Sequence, residues 1–358
     1  LTVFNLLKAL LRALQKHFLY NFTAILQRTL SISFGIMGIF WLSNSPMLGF
    51  FVGNALGGVL IIVVFFFIFH RKVSFTNMLP TLAQAREMLV YGIPIITVLI
   101  LSNISLTVNR YIIAYKLNLN DVAIFVVGST IANFVFTFLY EPILIYGHPI
   151  IFNAWEKIGN KGAEKIVNKY LQFYVIIGIM TLGLVVHFED LLIIVMSNEQ
   201  YRMPKGCILM LCISAYVIGI YRFLVTHYLL RKNTFELVLC FALSLACSIS
   251  LAILLIGPYG IFGVCISAAI GGIVLCFVVW WRGRNVLRIQ IIARGFYPVL
   301  LFAIMLCVFS PAYKWETFSI WRGVDFLGVV AGVLLLLLLI DVKRYIVSDG
   351  NDRQDVVG

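Results

Sequence analysis

Long apolar runs broken by short polar turns make up most of this chain. They fall at residues 18–42, 47–69, 88–111, 122–155, 170–187, 205–230, 237–256, 261–281, 296–309 and 324–340. A helix that crosses a bilayer needs about 20 mainly apolar residues. The pattern therefore predicts an all-α, polytopic membrane helix bundle of about ten transmembrane helices. The run 122–155 is too long for one straight crossing at about 1.5 Å per residue. Pro142 and Pro149 are expected to kink or end it. The stretch 191–196 is too short to cross.

Polar positions inside the spans carry the functional signal. In the run 88–111, Asn103, Thr107 and Arg110 recur at i, i+4 and i+7 and share one helix face. Such a face suits a helix that lines a polar cavity rather than one ringed by lipid. Arg222 stands nine residues before the anchor Arg231, about 14 Å along a helix. Arg28 lies ten residues into its span, with Asn21 and Ser31 on a similar face. An arginine at the centre of a membrane helix costs roughly 2.5–3.5 kcal/mol on insertion scales. Each arginine is thus either a cavity residue that meets an anion or a side chain that snorkels, pairs or anchors at the interface. Arg110, near the end of its span, leans to the anchor reading. Glu141, directly before Pro142, is the one carboxylate embedded in a long apolar run. It is a candidate ion-coupling site or a structural charge. His148 and His187 read as interfacial, and His227 as a packed helix contact.

Composition changes the picture in two ways. Only 12% of the 358 residues are charged, against about 25% in soluble domains. The net charge of +12 does not imply nucleic acid, because the basic residues are sorted by loop. Nineteen of the 27 lie in one alternating set of loops and tails, five in the other set, and three within or at the edge of spans. That bias places both ends of the chain in the cytoplasm. The seven cysteines fall in apolar runs without metal-ligand spacing. No catalytic triad or phosphate-cradling loop is present, so no catalytic residue, metal or cofactor is assigned. Gly271 and Gly272 read as a close helix contact.

The stretch Tyr91-Gly92-Ile93-Pro94, then Asn109-Arg110-Tyr111-Ile112-Ile113, then Asp121-Val122-Ala123-Ile124-Phe125 resembles the seventh and eighth spans of polysaccharide flippases. These are the O-antigen and exopolysaccharide exporters of the multidrug/oligosaccharidyl-lipid/polysaccharide superfamily. The family pattern there is YG-P-, then DRYI, then a hydrophilic turn and VGIY. This chain has Asn109 where Asp is usual, and Ala123 and Phe125 where Gly and Tyr are common. Without that Asp, Arg110 lacks the neighbouring charge that would hold it.

The resemblance implies a two-lobe exporter fold of fourteen spans and alternating access. It implies flipping of an undecaprenyl-diphosphate-linked oligosaccharide across a bacterial inner membrane, for O-antigen, lipopolysaccharide, capsule or exopolysaccharide biosynthesis. Arg28, Asn103, Arg110 and Arg222 are then the substrate-binding candidates. A polysaccharide polymerase and a chain-length regulator are the protein partners it admits, beside the lipid bilayer. Matching 88–111 to the seventh span makes the expected fold N-terminally incomplete. Residues 1–17 are then an amphipathic inner-surface segment and 18–69 the last two helices of the first lobe. Residues 70–87 are a basic cytoplasmic linker, 88–281 the second six-helix lobe, 282–340 two C-terminal helices and 341–358 a cytoplasmic tail.

Other readings stay open. A drug or cation antiporter of the same superfamily needs embedded carboxylates, and this chain offers mainly Glu141. A membrane polymerase or ligase needs a sizeable outer loop with catalytic groups, and the longest outer loop, residues 188–204, is short. An inactive truncated remnant is the third. The expectation is a transporter rather than an enzyme.

Overall fold

The computed structural model describes residues 17–42, 45–69, 81–197, 199–284 and 301. Among these residues 92% are helical and no strand occurs, so the protein is all-α as its periodicity predicts. Seven of the described helices are long and apolar enough to cross a membrane. The expected count of ten is not reached within them. The readings for 1–16, 70–80, the C-terminal helices at 296–309 and 324–340 (residue 301 aside) and the tail 341–358 lie outside the described residues.

The chain divides into two compact units, with the boundary between Ala85 and Arg86. In the first unit, helix α1 (His17–Trp41) pairs with α2 (Pro46–Phe69). The pairing is antiparallel. Gly38 lies against Gly49, Gly53 against the Phe34 carbonyl and Gly57 against that of Leu30. Gly49, Gly53 and Gly57 form a GxxxGxxxG stripe, which lets backbones approach closely where hydrophobic burial cannot drive association. A Cβ at Gly57 would sit 2.9 Å from both the Leu30 carbonyl oxygen and the Ser31 Cα.

The second unit holds the other helices, the first turn of α3 aside. They are α3 (Leu82–Lys116), α4 (Leu119–Ile158), α5 (Asn160–His187), α6 (Glu189–Met196), α7 (Cys207–Leu224), α8 (Thr226–Leu230), α9 (Phe235–Tyr259) and α10 (Ile261–Gly283). Helix α3 begins earlier than the apolar run does, inside what the sequence assigns to the linker. At its start Thr81 and Gln84 exchange side-chain and backbone hydrogen bonds, at 3.0 and 3.3 Å. This is the reciprocal capping box that opens a helix. Asn118 caps α4 by accepting from the Asp121 amide at 2.8 Å. Glycines with positive φ, Gly159 at 79° and Gly260 at 58°, turn α4 into α5 and α9 into α10.

Pro142 and Pro149 neither end α4 nor divide it. The helix runs 40 residues through both, which corrects the expectation that they end it. Each proline removes one amide donor, and the turns on either side keep the remaining ladder. The run 205–230 does break, at Val225, between α7 and α8.

Helix α7 is the centre of this unit, packing on α4, α5 and α10, while α9 packs on α10. A lock between α5 and α7 fixes the core. Tyr174 donates to the Tyr216 carbonyl at 3.0 Å, and Tyr216 donates to the Val175 carbonyl at 3.2 Å. Their rings stack with centroids 5.7 Å apart. The Tyr174 hydroxyl lies over Gly219, and the Tyr216 ring over Gly178. Small polar residues join the other helices. Ser214 of α7 donates to Ala268, Ser244 of α9 to Gly271, and Ser248 of α9 to Ser267. Gly271 rests against Ser248 and Gly272 against Ser214, the close contact expected of that pair.

The outside is as apolar as the inside. Trp41, Met47, Phe138 and Leu254 are each at least 70% exposed. So large an apolar surface does not stay solvated in water; a bilayer covers it. This is a multi-pass membrane protein. Topology is directly testable by single-cysteine labelling in a cysteine-free background. Asn120 and Tyr259, both exposed, should react with an impermeant reagent from outside. Lys161 and Arg284, also exposed, should react only after the membrane is opened. Reversal at both ends would invert the assignment.

Candidate functional site

Helix α3 is the least buried of the membrane-length helices. Its buried residues are Pro94, Asn109 and Ile113. Val98 packs on the aromatic core and Ile113 joins the cluster of Phe125, Ile193 and Ile256. At its start, Lys232 donates to Glu87 at 2.7 Å and the Thr234 hydroxyl to the Tyr91 carbonyl at 3.1 Å. The hydrogen bond to Glu87 holds the Lys232 ammonium above the ordinary lysine range. Both partners are exposed, so the pair orients α3 more than it stabilises the fold.

The face with Asn103, Thr107 and Arg110 lies on the other side of α3. All three residues are exposed, and the packed positions 94, 98, 109 and 113 belong to the opposite face. Asn103 donates to the Leu99 carbonyl at 2.8 Å and Thr107 to the Asn103 carbonyl at 2.9 Å. These bonds back onto the helix lower the cost of polar groups at membrane depth. The Arg110 guanidinium makes no ion pair among the described residues. The polar stripe therefore does not line a cavity among the described helices of its own unit. Asn109, where the family pattern has an acid, is 6% exposed and sits on the packed side. It faces away from Arg110 and does not hold it.

The remaining candidates are dispersed. Arg222, in the last turn of α7, is exposed, whereas its neighbour Tyr221 is buried with its ring edge-on to Phe241. Glu141 is exposed on α4. Among the described residues, neither forms an ion pair, and no hydrogen bond links Asn103, Arg110, Glu141 and Arg222. Arg28 is exposed on α1, while Ser31 is buried against Gly57. At i and i+3 the two lie near one face, with Ser31 inside the α1–α2 contact and Arg28 at its exposed edge. His227 is a packed residue, as expected. Its ring lies between Tyr228 and Gly283, its Nδ1 meets the Leu224 carbonyl, and its Nε2 is buried without a partner among the described residues.

Among the described residues no cluster of His, Cys, Asp or Glu could hold a metal ion. The stretch 188–204, expected as the longest outer loop, is largely folded among its described residues, as α6 and a 3-10 turn at Glu199–Tyr201. Sequence reasoning missed the Tyr174–Tyr216 lock and the glycine stripe of α2. The latter was visible as its GxxxG spacing; the former had no local signal, because its partners are 42 residues apart. No protein-family model matches the chain, and no curated protein matches it.

Proposed function

We propose that this chain is a transporter that flips a polyprenyl-diphosphate-linked oligosaccharide across a bacterial inner membrane. The observation that carries this reading is the two-faced helix α3. One face packs on its own unit, and the other presents Asn103, Thr107 and Arg110, which has no ion pair among the described residues. An exposed arginine without a carboxylate suits an anionic diphosphate, which the guanidinium can bind through two parallel hydrogen bonds. The amide and hydroxyl beside it suit sugar hydroxyls. The carrier's apolar tail stays in the bilayer, so only the headgroup needs a polar path. Alternating access completes the mechanism, with Arg28 as a further cation for the diphosphate.

The test is a flipping assay on the full chain in proteoliposomes, with an undecaprenyl-diphosphate-linked oligosaccharide probed by an impermeant lectin. The wild-type chain should move the sugar across. The Asn103→Leu/Arg110→Leu double variant should lose at least about tenfold of the rate at equal protein. That loss corresponds to one charge-assisted hydrogen bond or more, each about 1.5–3 kcal/mol. Wild-type rates in the double variant would remove α3 from the substrate path.

A further inference from the structure

The end of the second unit formed by the α4–α5 elbow, α8 and the end of α10 collects exposed cations. Leu230, the last residue of α8, packs with Ile151 of α4 and with Ala163 and Val167 of α5. That contact places Arg231 beside the elbow that carries Lys161. The Tyr228 hydroxyl donates to the Val279 carbonyl at 3.2 Å, and the His227 ring rests on Gly283. Those contacts bring Arg282 and Arg284 to the same corner. Lys161, Arg231, Arg282 and Arg284 are all exposed. Lys161, Arg231 and Arg282 form no ion pair among the described residues. Among the described residues, the carboxylates of this end are Glu87, Glu156, Glu164 and Glu236. Glu87 is engaged by Lys232, and Glu236 accepts from Asn233 at 2.6 Å.

We infer that this basic corner is a binding surface for anionic phospholipid headgroups. The juxtaposition of charge and grease selects a lipid over a soluble acidic partner. Ile158, Phe235, Phe277 and Trp281, adjacent to the cations, are each at least 50% exposed. A lipid matches that pair of surfaces with one molecule, its phosphate on the cations and its chains on the apolar residues. The Arg284 guanidinium lies 3.9 Å from the Trp281 ring centroid. That stacking holds both groups at headgroup level and leaves the edge of the guanidinium free to donate to phosphate.

The measurement is thermal unfolding of the full chain in nanodiscs, followed by tryptophan fluorescence. Discs of phosphatidylcholine alone are compared with discs of phosphatidylcholine and phosphatidylglycerol at three to one. At low salt the anionic lipid should raise the midpoint by roughly 5 °C. Half-molar salt should remove most of the rise by screening. The Arg231→Gln/Arg282→Gln/Arg284→Gln variant should keep the phosphatidylcholine midpoint and lose the rise. Lys116→Gln/Lys205→Gln, near the other end of the helices, should keep both. Equal wild-type midpoints in the two discs would overturn the inference, and that result needs no variant to fold. So would an equal rise from inorganic phosphate added to phosphatidylcholine discs, or a rise that survives in the triple variant. No oligosaccharide substrate enters the experiment, so its failure is distinct from failure of the transport reading.

Discussion

Replacing Gly219 by alanine should lower the stability of the folded chain by about 1–3 kcal/mol, the range for overpacking a tight core. The new methyl would meet the Tyr174 hydroxyl and ring. Tyr174 is fully buried and cannot swing into open space. It would have to give up its hydrogen bond to the Tyr216 carbonyl or push α5 away from α7. Either response also disturbs the reciprocal half of the lock, the Tyr216 ring over Gly178. The control is Gly92→Ala. A Cβ at Gly92, within α3, meets nothing within 4 Å, and alanine is the better helix former by about 1 kcal/mol. Thermal unfolding of the two variants in one detergent should therefore shift in opposite directions. A Gly219→Ala protein as stable as wild type would mean that α5 and α7 are not held together by this lock.

The helices of this fold were legible in the sequence because each is a lipid-length apolar run, and a bilayer permits few alternatives to a helix. Apolar runs 18–42 through 261–281 each become helix, and the short stretch 191–196 falls within α6. Where the reading failed, the cause was that a sequence shows composition and not neighbours. Pro142 and Pro149 read as kinks or ends because each deletes a donor, but the packing of α4 on α5 and α7 carries the helix past them. Arg28 and Ser31 lie near one face, as their spacing implies, but spacing alone does not show that the glycine stripe of α2 covers Ser31 and leaves Arg28 exposed. The stripe of Asn103, Thr107 and Arg110 was visible from its spacing. Which side of α3 it occupies was not, because that depends on Pro94, Val98 and Ile113 meeting residues far along the chain. Periodicity could identify Asn103 and Arg110 as one surface but had no means of relating them to Glu141 or Arg222.

Arg222 gives the sharpest test of substrate recognition. It stands in the last turn of α7, two residues before the helix ends at Leu224. Its side chain is exposed, while Tyr221 and Phe223 on either side are buried in the core. The backbone at this position is therefore held by its neighbours, and the guanidinium contributes little to that packing. Arg222→Ala should accordingly insert and fold in wild-type amounts. If the guanidinium binds a diphosphate, its removal should slow flipping by roughly 10- to 150-fold, the equivalent of a charge-assisted hydrogen bond at about 1.5–3 kcal/mol. Arg222→Lys keeps the charge but loses the planar, two-pronged donor geometry, so its rate should lie between the two. The quantity to measure is flipped lipid-linked sugar per folded transporter, with folded protein counted by gel filtration in detergent. A side chain that only anchors the helix at the interface predicts another pattern. Lysine and arginine would then be equivalent, and alanine would reduce the amount of folded protein without changing the rate of each molecule. Wild-type turnover per molecule in Arg222→Ala would end the recognition role.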